Sequence, residues 1–324
     1  MGLLTLYFLL LNFPIMKPDR HIKAISTRIS AWLQLMRFPN LLTVPGDPIA
    51  GYLIAVQASY VSATGLFGVV LAALLFYAAG LIMNDLFDEE EDRRDRPDRP
   101  LPSGAVTVTP AVTLCSLMIL FGAVICYALG MATTWIGFAL VASMIAYNRF
   151  SKKFATLGPL NMGLCRGFSF LLGVAAAQVP GYPVRPVVLA FGFILLYVAA
   201  VTRIARTETR PDPGRLSFCL PFMAVIVGGF SFISIVIQDR DQAIALFLMF
   251  TWLVLLTGMT AWRLMRSPSE SMFAHVGELI GGLILIQAIL VIGSGATILS
   301  WLFCATLIAL WPVNRLLARW FYAS

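Results

Sequence analysis

Long apolar runs with almost no charge follow one another through this chain, and they determine the solvent in which it folds. Hydrophobic residues make up 59% of the 324 residues, and the mean hydropathy is +0.86. A water-soluble domain of this composition would lack the polar side chains to cover its surface. Unpaired backbone groups are costly in hydrocarbon, so only helices and closed β-barrels can span a membrane. The runs lack the alternating apolar and polar pattern of a barrel strand. The sequence therefore predicts membrane-spanning helices.

A membrane-spanning helix needs about 20 mostly apolar residues. Ten stretches approach that length, near 41–57, 63–83, 107–128, 131–147, 159–178, 187–206, 217–236, 243–265, 272–292 and 296–313. They predict an all-α fold, a polytopic transmembrane helical bundle of nine or ten spans, with nine if the last two stretches form one broken element. We interpret 1–36 as an N-terminal apolar segment with an interfacial helix, and 37–324 as the transmembrane domain.

Basic residues concentrate in every second connection between the candidate spans. Among all 23 Lys and Arg residues, only Arg185 and Arg240 fall in the opposite connections. By the positive-inside rule, both chain ends and the basic loops face the cytoplasm, which indicates a multi-pass protein of the cell inner membrane. The same rule accounts for the net charge of +7 without nucleic acid binding. Five scattered cysteines, with no CxxC pair, are interpreted as apolar fillers and not as zinc ligands.

The segment 84–104, NDLFDEEEDRRDRPDRPLPSG, holds eight of the sixteen acidic residues at one predicted helix end. Four of its residues share one stripe of a helix, namely Asn84, Asp85, Asp88 and Asp92. Stacked carboxylates repel unless cations lie between them, and Mg²⁺ takes one or two carboxylates plus phosphate oxygens. The stripe therefore predicts a dock for a diphosphate. A solvated charge run is the alternative, but the following Arg93 and Arg99 suit phosphate oxygens.

A second carboxylate pair, Glu208 and Asp212, occurs four spans later beside Arg215. The pair is again spaced i,i+4 and lies on the same predicted side of the membrane. Two carboxylate groups at equivalent helix ends would hold metal ions on both sides of one diphosphate. An ordinary turn is the alternative, because Pro211 and Pro213 interrupt the segment.

Charged residues in or next to the apolar runs are the remaining candidates. Arg166 in the fifth span and Asp47 in the first are costly at membrane depth. We expect Arg166 to meet a phosphate or a carboxylate and not lipid, and Asp47 to face a polar cavity. Lys152 and Lys153 follow the fourth span, where the positive-inside rule alone is an equal explanation.

These residues resemble the UbiA superfamily of intramembrane prenyltransferases. The first motif of that family, NDxxDxxxD, is complete at 84–92, and its RPLPSG continuation stands at 99–104. Tyr147 followed by Lys152 and Lys153 is similar to the Tyr-to-Lys loop of the family, with one residue more than the commonest spacing.

The second family motif, DxxxD, stands here as Glu208-x-x-x-Asp212. The glutamate keeps the charge but moves the carboxylate oxygens outward, which changes the expected metal geometry. Within the superfamily, the segment 161–173 looks most like the EboC-type branch. The motifs cover about 30–220, and the remainder matches by hydropathy only.

The resemblance implies Mg²⁺-assisted transfer of an isoprenyl group from a prenyl diphosphate to a small or lipid acceptor. It implies a central lipid-open cavity, capped on the cytoplasmic side, with membrane lipids around it. The sequence gives no sign of an obligate protein partner. The implied catalytic residues are Asp88, Asp92 and Asp212. The implied metal ligands are Asn84, Asp85, Asp88, Asp92, Glu208 and Asp212. Together with the buried charges, the substrate-binding candidates are Asp47, Arg93, Arg99, Tyr147, Lys152, Lys153, Asn161, Arg166 and Arg215.

Two other functions stay open on these residues. A sibling reaction of the superfamily transfers a phosphoribosyl group to a polyprenyl phosphate and uses similar carboxylates. A membrane transporter is the alternative from a different class, and it predicts ionisable residues near mid-bilayer within broken helices. Carboxylates at helix ends disfavour the transporter.

The charge distribution gives a topological prediction. Cysteines introduced into the loops that contain Asp92, Lys153 and Asp212 are expected to react only with reagents that reach the cytoplasm. Cysteines in the loops that contain Arg185 and Arg240 are the opposite-side control. Labelling of any of the first three loops from outside would overturn the orientation.

Overall fold

The structure, a computed structural model, describes the chain over 29–57, 61–206, 215–266 and 272–321. These residues form a helical bundle, and no strand occurs within those ranges. The all-α architecture predicted from the apolar runs is confirmed. The expectations for the N-terminal segment fall mainly on 1–28, which lie outside the described residues, as do Glu208 and Asp212.

The first half of the bundle begins with short helices and continues with long ones. Its elements are α1 (29–35), α2 (Phe38–Leu41), α3 (Gly46–Val56), α4 (Ala63–Phe87), α5 (Glu89–Asp95), α6 (Val108–Leu129) and α7 (Met131–Arg149). A 3₁₀ turn at Ser151–Lys153 leads into α8 (Leu157–Ala176) and α9 (Val184–Ala205).

The second half resumes with a 3₁₀ turn at Arg215–Cys219. The next helix, α10, consists of three consecutive stretches, Leu220–Ala224, a π-helical turn at Val225–Gly229, and Phe230–Val236. The last helices are α11 (Arg240–Arg266), α12 (Met272–Gly293) and α13 (Ile298–Phe321).

In the described part of the chain, seven helices are long and apolar enough to cross a membrane. They are α4, α6, α7, α9, α10 with the residues before it, α11 and α12. Of the other candidates, α3 has only 11 residues, which is about 16 Å of helix. α8 has 20 residues but is not apolar enough, and the apolar part of α13, Ile298–Asn314, is shorter than a span. The count of nine or ten spans therefore stays a prediction.

Two helices form the interior of the bundle. α12 packs against α3, α9, α11 and α13, and 83% of its apolar window is buried. A helix that is apolar on every side is buried by its neighbours in this way. α8 is the second interior element, since it contacts α3, α4, α7 and α9. Side chains of α8 and α12 are thus held on several sides.

Two glycines let α3 and α8 touch through their backbones. A Cβ atom on Gly51 would lie 2.0 Å from the carbonyl oxygen of Phe170, and one on Gly173 would lie 2.0 Å from that of Pro48. No side chain fits at such distances. Small residues at helix crossings are typical of membrane bundles, because close backbone approach there replaces the hydrophobic effect as the source of association.

Gly173→Ala is expected to lower the thermal stability of the purified protein, because the added methyl group meets the backbone of α3. Overpacking of this kind typically costs about 1–3 kcal/mol. Gly192→Ala on α9 is the matched control, since a Cβ there meets no described atom within 4 Å. Thermal unfolding in detergent, followed by tryptophan fluorescence, measures both variants. Equal midpoints would contradict the backbone contact.

Candidate active site

The first acidic motif lies at a break between two helices. α4 ends at Phe87 and α5 begins at Glu89, so the expected single helical stripe is bent at Asp88. Backbone bonds of i,i+4 type continue across the break: Asp88 N donates to Asn84 O (3.1 Å), and Asp92 N donates to Asp88 O (2.8 Å). The carboxylates therefore stay together at one end of the bundle, here called the charged end, without lying along one straight axis.

Basic side chains from two other segments pair with this motif. Arg37, just before α2, contacts the Asp85 carboxylate at 3.1 Å. Arg99 lies 2.6 Å from Asp92 and 3.9 Å from Asp85. Asp85 and Asp92 are buried, so these pairs offset the repulsion that the two carboxylates would otherwise exert on each other.

Lys152, in the turn after α7, pairs with the same motif. α7 ends at Arg149, and the following 3₁₀ turn directs Nζ of Lys152 to Oδ1 of Asp88. The three motif carboxylates are thus paired with bases from three different segments. The structure brings together the first predicted carboxylate group and two of the predicted basic residues, Arg99 and Lys152.

Hydrogen bonds from two neighbouring helices hold the turn after α7. Asn161 on α8 donates to the carbonyl oxygen of Ser143 (3.1 Å) and to the hydroxyl of Ser151 (2.9 Å). Arg206, after α9, donates to the carbonyl oxygen of Phe154 (2.6 Å). The structure gives Asn161 an anchoring contact, and its expected contact with substrate stays a prediction.

Two predicted residues lie apart from these pairs. Arg93 pairs with Glu89 on α5, and its side chain is 65% exposed. Lys153 is exposed next to Lys152. Neither side chain helps to build the contacts of the charged end.

The second predicted carboxylate group stays a prediction. Glu208 and Asp212 lie outside the described residues. The contact of Arg206 with Phe154 places the last described residues of α9 beside the turn that carries Lys152. The chain therefore leaves the described part at the charged end, and it resumes at Arg215 with a 3₁₀ turn.

A buried polar cluster lies where α3, α8 and α12 meet. Arg166 Nε lies 2.8 Å from the Asp47 carboxylate, an ion pair without hydrogen-bond alignment. The same guanidinium donates to the carbonyl oxygen of Thr43 (2.6 Å). Gln287 on α12 donates to Asp47 (2.7 Å) and to the same Thr43 oxygen (2.6 Å). The expectation that Arg166 meets a carboxylate and not lipid is confirmed.

A cavity of about 170 Å³ between α4, α7 and α8 connects the buried cluster with the charged end. Its lining residues recur at helical spacing: Ala73, Phe76, Tyr77, Gly80, Leu81 and Asn84 on α4, Leu140, Met144, Tyr147 and Asn148 on α7, and Met162, Cys165, Arg166 and Ser169 on α8. Arg37 and Asn40 complete the wall. From Asn84 to Ala73 the cavity follows α4 for about 16 Å, and Arg166 and Ser169 on α8 add polar groups among its apolar side chains.

A larger concavity of about 640 Å³ lies at the opposite ends of α3, α4, α6 and α8. Tyr52, Ser62, Leu129 and Gln178 belong to its wall, and no charged side chain does within the described residues. Convergent polar groups identify a binding site better than volume alone. The smaller cavity, with the charged end at its border, is therefore the candidate site.

Three site residues carry little sequence signal. Arg37 has a left-handed backbone conformation (φ 44°) and stands before the four-residue α2, at the first position of the predicted transmembrane domain, where one basic residue gives no sign of its partner. Gln287 is a single amide inside the apolar run of α12, and intramembrane polarity is its one signal. The centre of the Tyr77 ring lies 5.5 Å from the Arg166 guanidinium. In the sequence, Tyr77 cannot be told apart from other aromatic residues of the predicted spans.

The family model of the UbiA prenyltransferase family matches residues 48–262, which is most of the chain. The chain belongs to this family. Digeranylgeranylglyceryl phosphate synthase from Sulfolobus acidocaldarius is 30% identical over 171 residues, which are 52% of this chain and 60% of that protein. The chain spans about three fifths of the length of such curated relatives.

Solved structures of the family share the fold. A structure of digeranylgeranylglyceryl phosphate synthase is similar with a TM-score of 0.60 and 21% identity, over 82% of this chain and 98% of that chain. A UbiA homologue from Archaeoglobus fulgidus, bound to DMAPP and Mg²⁺, is similar with a TM-score of 0.58 and 13% identity, over 87% and 99%. At these identities the likeness shows the fold alone.

Arg166→Leu is expected to destabilise the protein, because it leaves the Asp47 carboxylate buried without its charge partner. Removing one partner of a buried pair typically costs about 3–5 kcal/mol. The double variant Asp47→Leu/Arg166→Leu is expected to regain much of the loss, since no unpaired charge remains. Thermal unfolding of the parent, both single variants and the double variant measures the coupling. Additive losses would contradict a direct ion pair.

Proposed function

We propose that this chain is a Mg²⁺-dependent intramembrane prenyltransferase. It transfers an isoprenyl group from a prenyl diphosphate to an acceptor and releases pyrophosphate. The observation that carries the proposal is the charged end, where Asp85, Asp88 and Asp92 pair with basic side chains. Arg37 and Asn84 at this end also line a cavity that has aromatic and aliphatic side chains further along its wall. This arrangement offers oxygen ligands and cations to a diphosphate, and hydrocarbon surroundings to an isoprenyl tail.

The carboxylates of the charged end fit Mg²⁺ as ligands shared with a phosphate. No three acidic, His or Cys side chains converge on one point in the described part of the chain, so the protein alone does not form a cage there. Mg²⁺ typically takes one or two carboxylates and completes its shell with water and phosphate oxygens. When bound, the ion supplies positive charge to the leaving diphosphate. Asp85, Asp88 and Asp92 are the described residues that would hold it.

The basic residues of the charged end are suited to the diphosphate oxygens. Arg37, Arg99 and Lys152 come from three segments and already converge on the motif carboxylates. An arginine presents two parallel donors to a phosphate, whereas a lysine acts as a point charge. These three side chains support the binding of the diphosphate and the stabilisation of its charge as the carbon–oxygen bond breaks.

The cavity wall suits a cationic isoprenyl group. Phe76, Tyr77 and Tyr147 present aromatic rings along it, and Leu140 and Met144 add apolar surface. Aromatic faces attract cations, and a dry cavity keeps water from capturing an allylic cation before the acceptor does. The same helices that bury this wall therefore protect the reactive intermediate.

Comparison with relatives supports the donor class. The Archaeoglobus fulgidus homologue of the same fold binds DMAPP, an isoprenyl diphosphate, together with Mg²⁺. We extend this donor class, and Mg²⁺ as cofactor, to the present chain. The seven apolar helices and the positive-inside pattern support an integral protein of the cell inner membrane with the charged end in the cytoplasm.

Asp88→Asn is expected to reduce pyrophosphate release on the order of 100-fold or more, because it removes a charge that stabilises the metal and the leaving group. Glu208→Asp, which restores the usual second motif of the family, is expected to preserve or raise activity. Purified protein is incubated with labelled DMAPP and membrane extract, and pyrophosphate is measured against Mg²⁺ concentration. Glu90→Gln, an equal loss of charge at an exposed position of α5, is the matched control.

Two outcomes would overturn the proposed function. Full activity of Asp88→Asn, or activity of the parent without divalent metal, would leave the carboxylates as a solvated helix end. Product identification separates the remaining alternatives: a ribosylated polyprenyl phosphate would indicate phosphoribosyl transfer. Substrate flux without pyrophosphate release would indicate a transporter.

A further inference from the structure

Two arginines at the end of α9 hold the loop that follows Lys152. Nη1 of Arg206 donates to the carbonyl oxygen of Phe154 (2.6 Å), and Arg203, about one turn earlier, donates to the carbonyl oxygen of Ala155. Hydrogen bonds from a charged donor are about twice as strong as those between neutral groups. The loop between α7 and α8 is therefore tied to a third helix.

The guanidinium of Arg206 fits closely beside the start of α8. A Cβ atom on Gly158 would lie 2.5 Å from Nη1 of Arg206 and 3.2 Å from Cα of Lys152. Glycine thus leaves room for the guanidinium to approach the backbone that carries Lys152. The positive-inside rule explains why basic residues occur on this side of the membrane, but it predicts no contact with a particular loop. The close fit indicates a more specific role.

The turn that carries Lys152 depends on such contacts, because packing does little to hold it. It has only three residues, Ser151–Lys153, and all of the residues 153–157 are exposed. Short 3₁₀ turns also have poorer hydrogen-bond geometry than α-helices. A lysine is a point charge on a flexible stem, so the place of its ammonium group depends on the backbone beneath it. The bonds from α8 and α9 therefore determine where Lys152 can act.

Resting on the proposed function, we propose that Arg203 and Arg206 are positioning residues for the diphosphate. They hold the turn so that Nζ of Lys152 reaches the charged end, where it contacts Asp88. Fixing a loop in its binding conformation raises affinity, because less freedom is lost when the ligand binds. The two arginines act on the diphosphate through Lys152 and not by touching it.

A double-mutant cycle on Arg206 and Lys152 tests this assignment. The probe is the thiolo analogue of DMAPP, in which sulfur replaces the bridging oxygen, together with Mn²⁺. Its dissociation constant is measured by calorimetry on the full chain in detergent. Arg206→Met is expected to raise that constant about fivefold, because the turn is no longer held in place. In the Lys152→Met background the same substitution is expected to change it by less than about twofold.

Three further variants separate positioning from charge and from folding. Arg149→Met is the matched control, since it removes one positive charge from an exposed residue at the end of α7. It is expected to leave the dissociation constant within about twofold of the parent value. Arg206→Lys keeps the charge and one donor and is expected to regain part of the affinity. Arg203→Met is expected to change the constant in the same direction as Arg206→Met.

Equal losses of affinity from Arg206→Met in the two backgrounds would refute the assignment, because they would indicate a direct contact with the diphosphate or a general loss of structure. An unchanged dissociation constant in Arg206→Met, or an equal loss in Arg149→Met, would refute it as well. Failure of the proposed function gives a different result: the parent would neither bind the analogue with Mn²⁺ nor release pyrophosphate from DMAPP. If the parent does both and the coupling is absent, the proposed function stands and the positioning role falls.

Discussion

Two opposite charges sit inside the bundle at Asp47 and Arg166, and neither is stable there without the other. Their pairing determines how α3 lies against α8, and Gly51 and Gly173 permit the backbone contact that the pairing requires. The carbonyl oxygen of Thr43, between α2 and α3, accepts from Arg166 and from α12. One cluster therefore holds the start of the bundle, its centre and its most buried helix together.

The same cluster shapes the candidate site. Arg166 faces the ring of Tyr77, and both line the cavity. Arg37 precedes α2, so the anchored Thr43 region determines where Arg37 meets Asp85. A contact at membrane depth thus positions a base at the charged end. This relation explains how the charged end is built from segments that are far apart in sequence.

The sequence predicted the helical bundle and the first carboxylate group, because both depend on local patterns. Apolar runs indicate spans, and the spacing of Asp85, Asp88 and Asp92 indicates one face of a helix. Contacts between distant segments cannot be predicted from local patterns. Gln287 meets Asp47 across 240 positions of sequence, and one amide in an apolar run gives no information about its partner. The bend at Asp88 leaves no trace in the sequence pattern, because helical spacing continues through it.

The exposure of their side chains divides the ion pairs into a buried set and a partly exposed set. The Asp47 and Arg166 side chains are 0% and 6% exposed, whereas those of Asp88 and Lys152 are 24% and 18% exposed and that of Arg37 is 32% exposed. Breaking a buried pair strands a charge in low dielectric, but a pair that water reaches contributes at most about 1 kcal/mol. The pair of Asp88 and Lys152 can therefore exchange its contact for a phosphate contact at small cost, whereas the buried Asp85 and Asp92 keep cations beside them. The inner pair cannot make such an exchange, and so it keeps the cavity in shape when the proposed diphosphate binds beside the outer pair.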